Sequence, residues 1–176
     1  MILKQLVERF SAVSVVGVDI GSAAVKLIEL AREPSRLVLR RAVIASVKEA
    51  GQAGVLKRLV EEASMRATRT ALGVASPEVI VKPFQFPPMP KKELRQAIQL
   101  EAEQAILNGH TPDQMIVDWH ILPSQSAEAI RGVLAVVPRE VVVARLKTVK
   151  EAGLRPSVMD VESLALWNAY WALVGR

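Results

Sequence analysis

Cysteine is absent from the chain, which excludes both a disulfide scaffold and a thiolate metal site. Only His110 and His120 remain as imidazole ligands. They share neither a helix face nor a motif with nearby acids, which argues against a metal centre. Aromatic residues make up 4% of the sequence, and most of them sit in apolar segments. The 23 Lys and Arg outnumber the 18 Asp and Glu by five, but the two signs are intermixed, as at Lys57-Arg58 before Glu61-Glu62. Such a pattern describes solvated faces; a nucleic-acid footprint needs a basic stripe interleaved with stacking rings, so no nucleic-acid partner is expected. A run of about 20 apolar residues, the length that crosses a bilayer, is also missing. What is plentiful is aliphatic: 51% of the 176 residues are hydrophobic, enough to bury a real core in one domain or two small ones.

The stretch Val15-Val16-Gly17-Val18-Asp19-Ile20-Gly21-Ser22-Ala23-Ala24-Val25-Lys26, continued by Leu27-Ile28-Glu29-Leu30-Ala31, organises the rest. Two runs rich in β-branched and aliphatic residues flank Asp-x-Gly-Ser, which predicts a strand, a tight turn and a second, antiparallel strand. Gly21 lets the backbone approach a ligand, and the N–H groups after it can form an anion-binding concavity. Ser22 adds a hydroxyl donor, Lys26 a mobile positive charge, and Asp19 an oxygen able to hold Mg²⁺ through water. That set suits a phosphate tail. Asp-x-Gly is also an ordinary hairpin sequence, and the motif alone leaves both readings open.

Residues 1–10 place Ile2, Leu3, Leu6, Val7 and Phe10 at helical spacing, with Lys4, Gln5, Glu8 and Arg9 opposite. The charges interrupt any signal-peptide core, and a helix carrying an acid and few bases packs on its own domain or on a partner rather than on a membrane surface. A third strand follows over 36–47, a helix over 52–65 with Val55, Leu59, Val60 and Ala63 inward, and a buried strand over 70–75. Three antiparallel strands, a helix and a strand make half of an RNase H-like or actin-like α/β domain.

From residue 79 the texture changes. The strand over 79–86 contains Pro83, which predicts an edge. Pro87-Pro88-Met89-Pro90 ends it, and a helix over 91–107 carries Leu94, Ala97, Ile98 and Ala105 on one stripe, with Glu101 on the same face. Glu101 reads as a carboxylate hydrogen-bonded under a loop, as a partner contact or as an acid with a raised pKa. Strands over 115–122 and 130–137, a helix over 139–152 capped by Gly153, and a strand over 155–161 complete the block. The expected division is therefore an outer subdomain of 1–78 with 160–176, and an inserted small α/β subdomain of 79–159.

The final segment, 163–174, is apolar all round apart from Asn168. A helix of that kind needs cover on more than one side, which predicts self-association or a partner.

Several blocks together resemble one family: 16–30; Phe86-Pro87-Pro88-Met89-Pro90-Lys91-Lys92-Glu93-Leu94 leading to Ala97-Ile98-Gln99-Leu100-Glu101-Ala102-Glu103; Ala135-Val136-Val137-Pro138-Arg139; and Ala152-Gly153-Leu154-Arg155-Pro156 running on to Leu166. In that order they are similar to the type IV pilus assembly PilM family, relatives of FtsA within the actin-like superfamily. The resemblance implies a cytoplasmic scaffold at the inner membrane that binds ATP with Mg²⁺ and docks the N-terminal tail of a PilN-like membrane protein. It implies that Asp19, Gly21, Ser22 and Lys26 form the first phosphate loop. The family carries a second Asp-x-Gly loop, whereas Asp113, Asp118 and Asp160 here are followed two positions on by Met115, His120 and Glu162. The chain thus corresponds to the first half, with an incomplete nucleotide site and no expected catalysis. An ATPase or phosphotransferase of the same superfold, and the cytoplasmic part of a type II secretion L-type protein, are the alternatives.

Overall fold

The computed structural model describes residues 14–34, 36–47, 51–106, 110–123 and 128–174. The helix expected over 1–10 lies outside them. The chain divides into two compact units, 1–75 with 144–176, and 76–143.

In the first unit β1 (Val15–Ile20), β2 (Ala24–Glu33) and β3 (Arg36–Ser46) form an antiparallel meander. β1 then pairs in parallel with β4 (Arg69–Val74), and β4 with β8 (Arg155–Val161), giving the order β3-β2-β1-β4-β8. The alternation along β2 buries Val25, Leu27, Glu29 and Ala31 on one face and leaves Lys26 and Ile28 on the other. Helix α1 (Gly51–Glu62) lays Val55, Leu56 and Leu59 on that core beside Val16, Val18 and Leu72. The ladder between β2 and β3 slips at Glu29/Leu30, where Arg41 faces Glu29 and Leu39 faces Leu30, so Arg40 is the extra residue of a bulge. β3 is an edge strand, and its bulge and arginines oppose pairing with another chain.

In the second unit β5 (Ile80–Phe86), β6 (Met115–Ile121) and β7 (Ile130–Pro138) pair antiparallel in the order β5-β7-β6. Pro83 therefore lies on an edge strand, where the missing N–H costs no ladder bond. Helix α2 (Lys91–Ala105) seats Leu94, Ile98 and Ala102 against Phe84, Met115, Leu134 and Val136. At Gly132 the backbone passes so close to the Phe84 ring that an added Cβ would fall 2.2 Å from it, so glycine is required there.

The expected boundary at 159 is too late. Helix α3 (Arg139–Glu151) buries Val149 in the core of the first unit, and β8 hydrogen-bonds to β4 from Arg69↔Arg155 to Val74↔Val161. Parallel pairing between distant segments leaves no mark on local hydrophobic period, so the pattern that located β8 did not say which sheet it joins. Gly153, at φ 80°, ends α3: its N–H donates to Lys150 O at 3.0 Å and Leu154 N–H to Val149 O at 3.2 Å, a Schellman cap.

Helix α4 (Glu162–Val174) follows β8 directly and keeps almost nothing inside. Only Asn168 is buried, its amide donating to Asp160 Oδ2 at 3.3 Å, while Trp167 is 59% and Leu173 81% exposed. Trp167, Tyr170 and Trp171 pack on one another, with ring centroids 5.7 to 6.2 Å apart.

Candidate functional site

The β1–β2 turn is tight because its hydrogen bonds leave little choice. Gly21 N–H donates to Ala24 O at 3.0 Å, and a Cβ at Gly21 would stand 3.0 Å from that oxygen. Strand pairing sets Asp19 opposite Lys26 and Ile20 opposite Val25, so both charged side chains leave the same face at the turn. Lys26 Nζ donates to Asp19 Oδ2 at 2.6 Å, with the two side chains 52% and 33% exposed. The hydrogen bond to Asp19, and then the charge of Asp19, raises the Lys26 ammonium above its ordinary value; Glu162 adds a smaller push in the same direction. Ser22 is exposed at the tip. All four residues singled out from the sequence thus meet in one turn.

Two further residues hold the turn and were not legible beforehand. Gln52, at the start of α1, donates through Nε2 to Gly21 O at 3.0 Å, and Arg145 of α3 donates through Nη1 to Gln52 Oε1 at 3.2 Å. These contacts bridge segments far apart in sequence, and no spacing announces them. The parallel strands β1, β4 and β8 end on the same side of the sheet, which places Asp19, Gly21 and Glu162 along one carboxyl edge. In open α/β sheets that edge is where ligands bind.

The donor set fits the end of a phosphate tail. An incoming phosphate oxygen can replace Asp19 on the Lys26 ammonium, with the Ser22 hydroxyl as a second donor. Among the described residues no three His, Cys, Asp or Glu side chains come together as a metal-ligand cluster. Lys26 occupies Asp19 Oδ2, so Mg²⁺ would be reached through the other carboxylate oxygen. His110 Nε2 lies 3.0 Å from Glu78 Oε1. Glu101 is paired with Lys82 of β5, which answers its place on the apolar face of α2 by a strand partner rather than a loop.

No helix among the described residues is long and apolar enough to cross a membrane. A family model described as type IV pilus assembly protein PilM matches residues 17–175. Among solved structures, the PilM–PilN type IV pilus biogenesis complex matches with a TM-score of 0.77 at 28% identity, covering 93% of this chain and 52% of the other. The cytoplasmic domain of Epsl, an inner-membrane component of the type II secretion system of Vibrio cholerae, matches with a TM-score of 0.55 at 18% identity, covering 84% and 57%. The chain therefore spans about half the length of each of these relatives. The sheet order, with its antiparallel meander followed by parallel strands, is that of the actin-like fold. With the match extending over residues 17–175, the chain belongs to the type IV pilus assembly protein PilM family.

Proposed function

We propose that this chain is a cytoplasmic scaffold of type IV pilus assembly, held at the inner membrane by docking the N-terminal cytoplasmic peptide of a PilN-like protein. The observation that carries the reading is the structural match to a PilM–PilN complex over 93% of the chain. The turn of Asp19, Gly21, Ser22 and Lys26 supplies one side of an ATP phosphate site in this reading, with Mg²⁺ held through Asp19. Its role in this reading is to bind: the turn contributes one set of charge-assisted contacts to the phosphates of a nucleotide. Calorimetry with a synthetic peptide from the N-terminus of the PilN-like protein of the same genome tests the docking. Saturable binding with Kd around micromolar is expected. Absence of heat or competition at millimolar peptide would overturn it.

A second copy of the chain is the proposed occupant of α4. Leu166, Trp167, Tyr170, Trp171, Leu173 and Val174 are each half or more exposed. At about 1.5 to 3 kcal/mol per large side chain removed from water, the helix offers on the order of 10 kcal/mol. That is comparable with the cost of association, about 4 to 15 kcal/mol. Sedimentation velocity should show a concentration-dependent dimer that Trp171→Lys abolishes with the circular dichroism unchanged. A wild-type chain that stays monomeric at every concentration would refute the pairing.

A further inference from the structure

At the opposite end of the first hairpin from the turn, a cavity of about 430 Å³ is lined by Ser14, Glu29, Arg40, Arg41 and Arg66. Its innermost group is Glu29, 1% exposed on β2. The Glu29 carboxylate accepts the backbone N–H of Ala67 at 3.0 Å and that of Arg66 at 3.5 Å, and Arg41 Nε stands 3.8 Å from it. Arg41 is further fixed by donating through Nη1 to Ala63 O at 2.5 Å. One carboxylate thus locks one guanidinium and the start of the 66–67 segment.

Two guanidiniums remain. Arg40 is turned by the bulge and shares Glu33 with Arg36, at 3.1 and 2.9 Å. The Arg66 side chain meets no acid among the described residues. Three arginines therefore line one concave site, with Glu29 buried inside it and Glu33, already shared with Arg36, on Arg40. Like charges repel, so folding alone gives no reason for the surplus. The volume lies within the range of small-molecule pockets, about 300 to 1,000 Å³, and arginine forks match the geometry of phosphate oxygens.

We propose that this cavity binds a small phosphate-bearing anion, with Arg66 and Arg40 as the exchangeable forks, Arg41 as a fixed third charge and the Ser14 hydroxyl as a further donor. Glu29 is a positioning residue: it holds Arg41 and the Arg66 backbone without touching the ligand. A concave site of this size takes a free small molecule in preference to a flat lipid surface.

The test follows the arginine Nε–H signals of the full chain by NMR during titration with inorganic phosphate, using sodium chloride at matched ionic strength as control. Saturable shifts at Arg40 and Arg66, not reproduced by chloride, are expected in the millimolar range. Arg66→Gln keeps the backbone N–H that Glu29 accepts, and should weaken binding about tenfold with the remaining amide spectrum intact; Arg40→Gln is the second variant, expected to weaken it less. Shifts that never saturate, or that chloride reproduces, would overturn the site. A second arm adds vesicles of phosphatidylglycerol or phosphatidylcholine. Arg66-dependent binding to the anionic vesicles without a saturable phosphate shift would overturn it in favour of a membrane-facing patch, while phosphate binding with no vesicle binding supports the free small molecule.

Discussion

At the turn end of the β1–β2 hairpin Asp19 faces Lys26 across the ladder; towards the other end of β2, Glu29 faces Arg41 on β3. Both are carboxylate–cation pairs on neighbouring strands, yet burial separates them. Asp19 and Lys26 stand in water, where an ion pair contributes little to stability and exchanges partners freely. Glu29 is sealed inside, where its charge is tolerable only because two backbone N–H groups and a guanidinium surround it. The first arrangement suits a ligand site because a phosphate can displace the carboxylate. The second suits a frame, since nothing can leave it without stranding a partner.

The largest effect expected from this contrast comes from Glu29→Leu. The substitution matches the surrounding aliphatic face but leaves the Ala67 and Arg66 N–H groups and the Arg41 guanidinium without their acceptor, which should cost about 3 kcal/mol. Urea denaturation measures it. Glu29→Gln retains one acceptor oxygen and should lose less. If the leucine variant is as stable as the parent, the buried pair is not a frame and the contrast fails.

Glu29 was within reach of the sequence, because it shares the two-residue period of Val25, Leu27 and Ala31, yet a charged residue in an aliphatic run is easily read as the wet face. The elements themselves were legible: each of the eight strands and four α-helices among the described residues lies within a few residues of where the periodicity placed it, and the short 3-10 turn Pro112–Gln114 alone was not anticipated. Glu101 was legible for the same reason, standing on an apolar stripe that needed a partner, and Lys82 provides it. The exposed face of α4 was legible too, since a helix with apolar residues on every side cannot hide them all against one sheet. What escaped was non-local. Strand 155–161 looks the same whether it extends the first sheet or the second, and Gln52 with Arg145 meets the turn only because two helices converge on it.

The smallest effect, and the sharpest test of the exposed pair, lies in the alkaline range. Lys26 is raised above the ordinary 10.5, first by the hydrogen bond from its ammonium to Asp19 and then by that carboxylate's charge, with Glu162 contributing less. A raised ammonium favours the folded state fully below the ordinary value and loses that contribution as pH climbs through the folded one. Any stability Lys26 supplies should therefore be constant through neutral pH and disappear above about 10.5, so that the parent and Lys26→Met converge there. The direct reading is the ¹³Cε titration of the lysines: Lys26 should be among the last to lose its proton. Asp19→Asn should bring its midpoint back most of the way, and Glu162→Gln by a smaller step, in the order of the two causes. A Lys26 that titrates with the other lysines in the parent would mean the pair is already open in solution, and Asp19 would then stand free for a metal-bound water rather than held by Lys26.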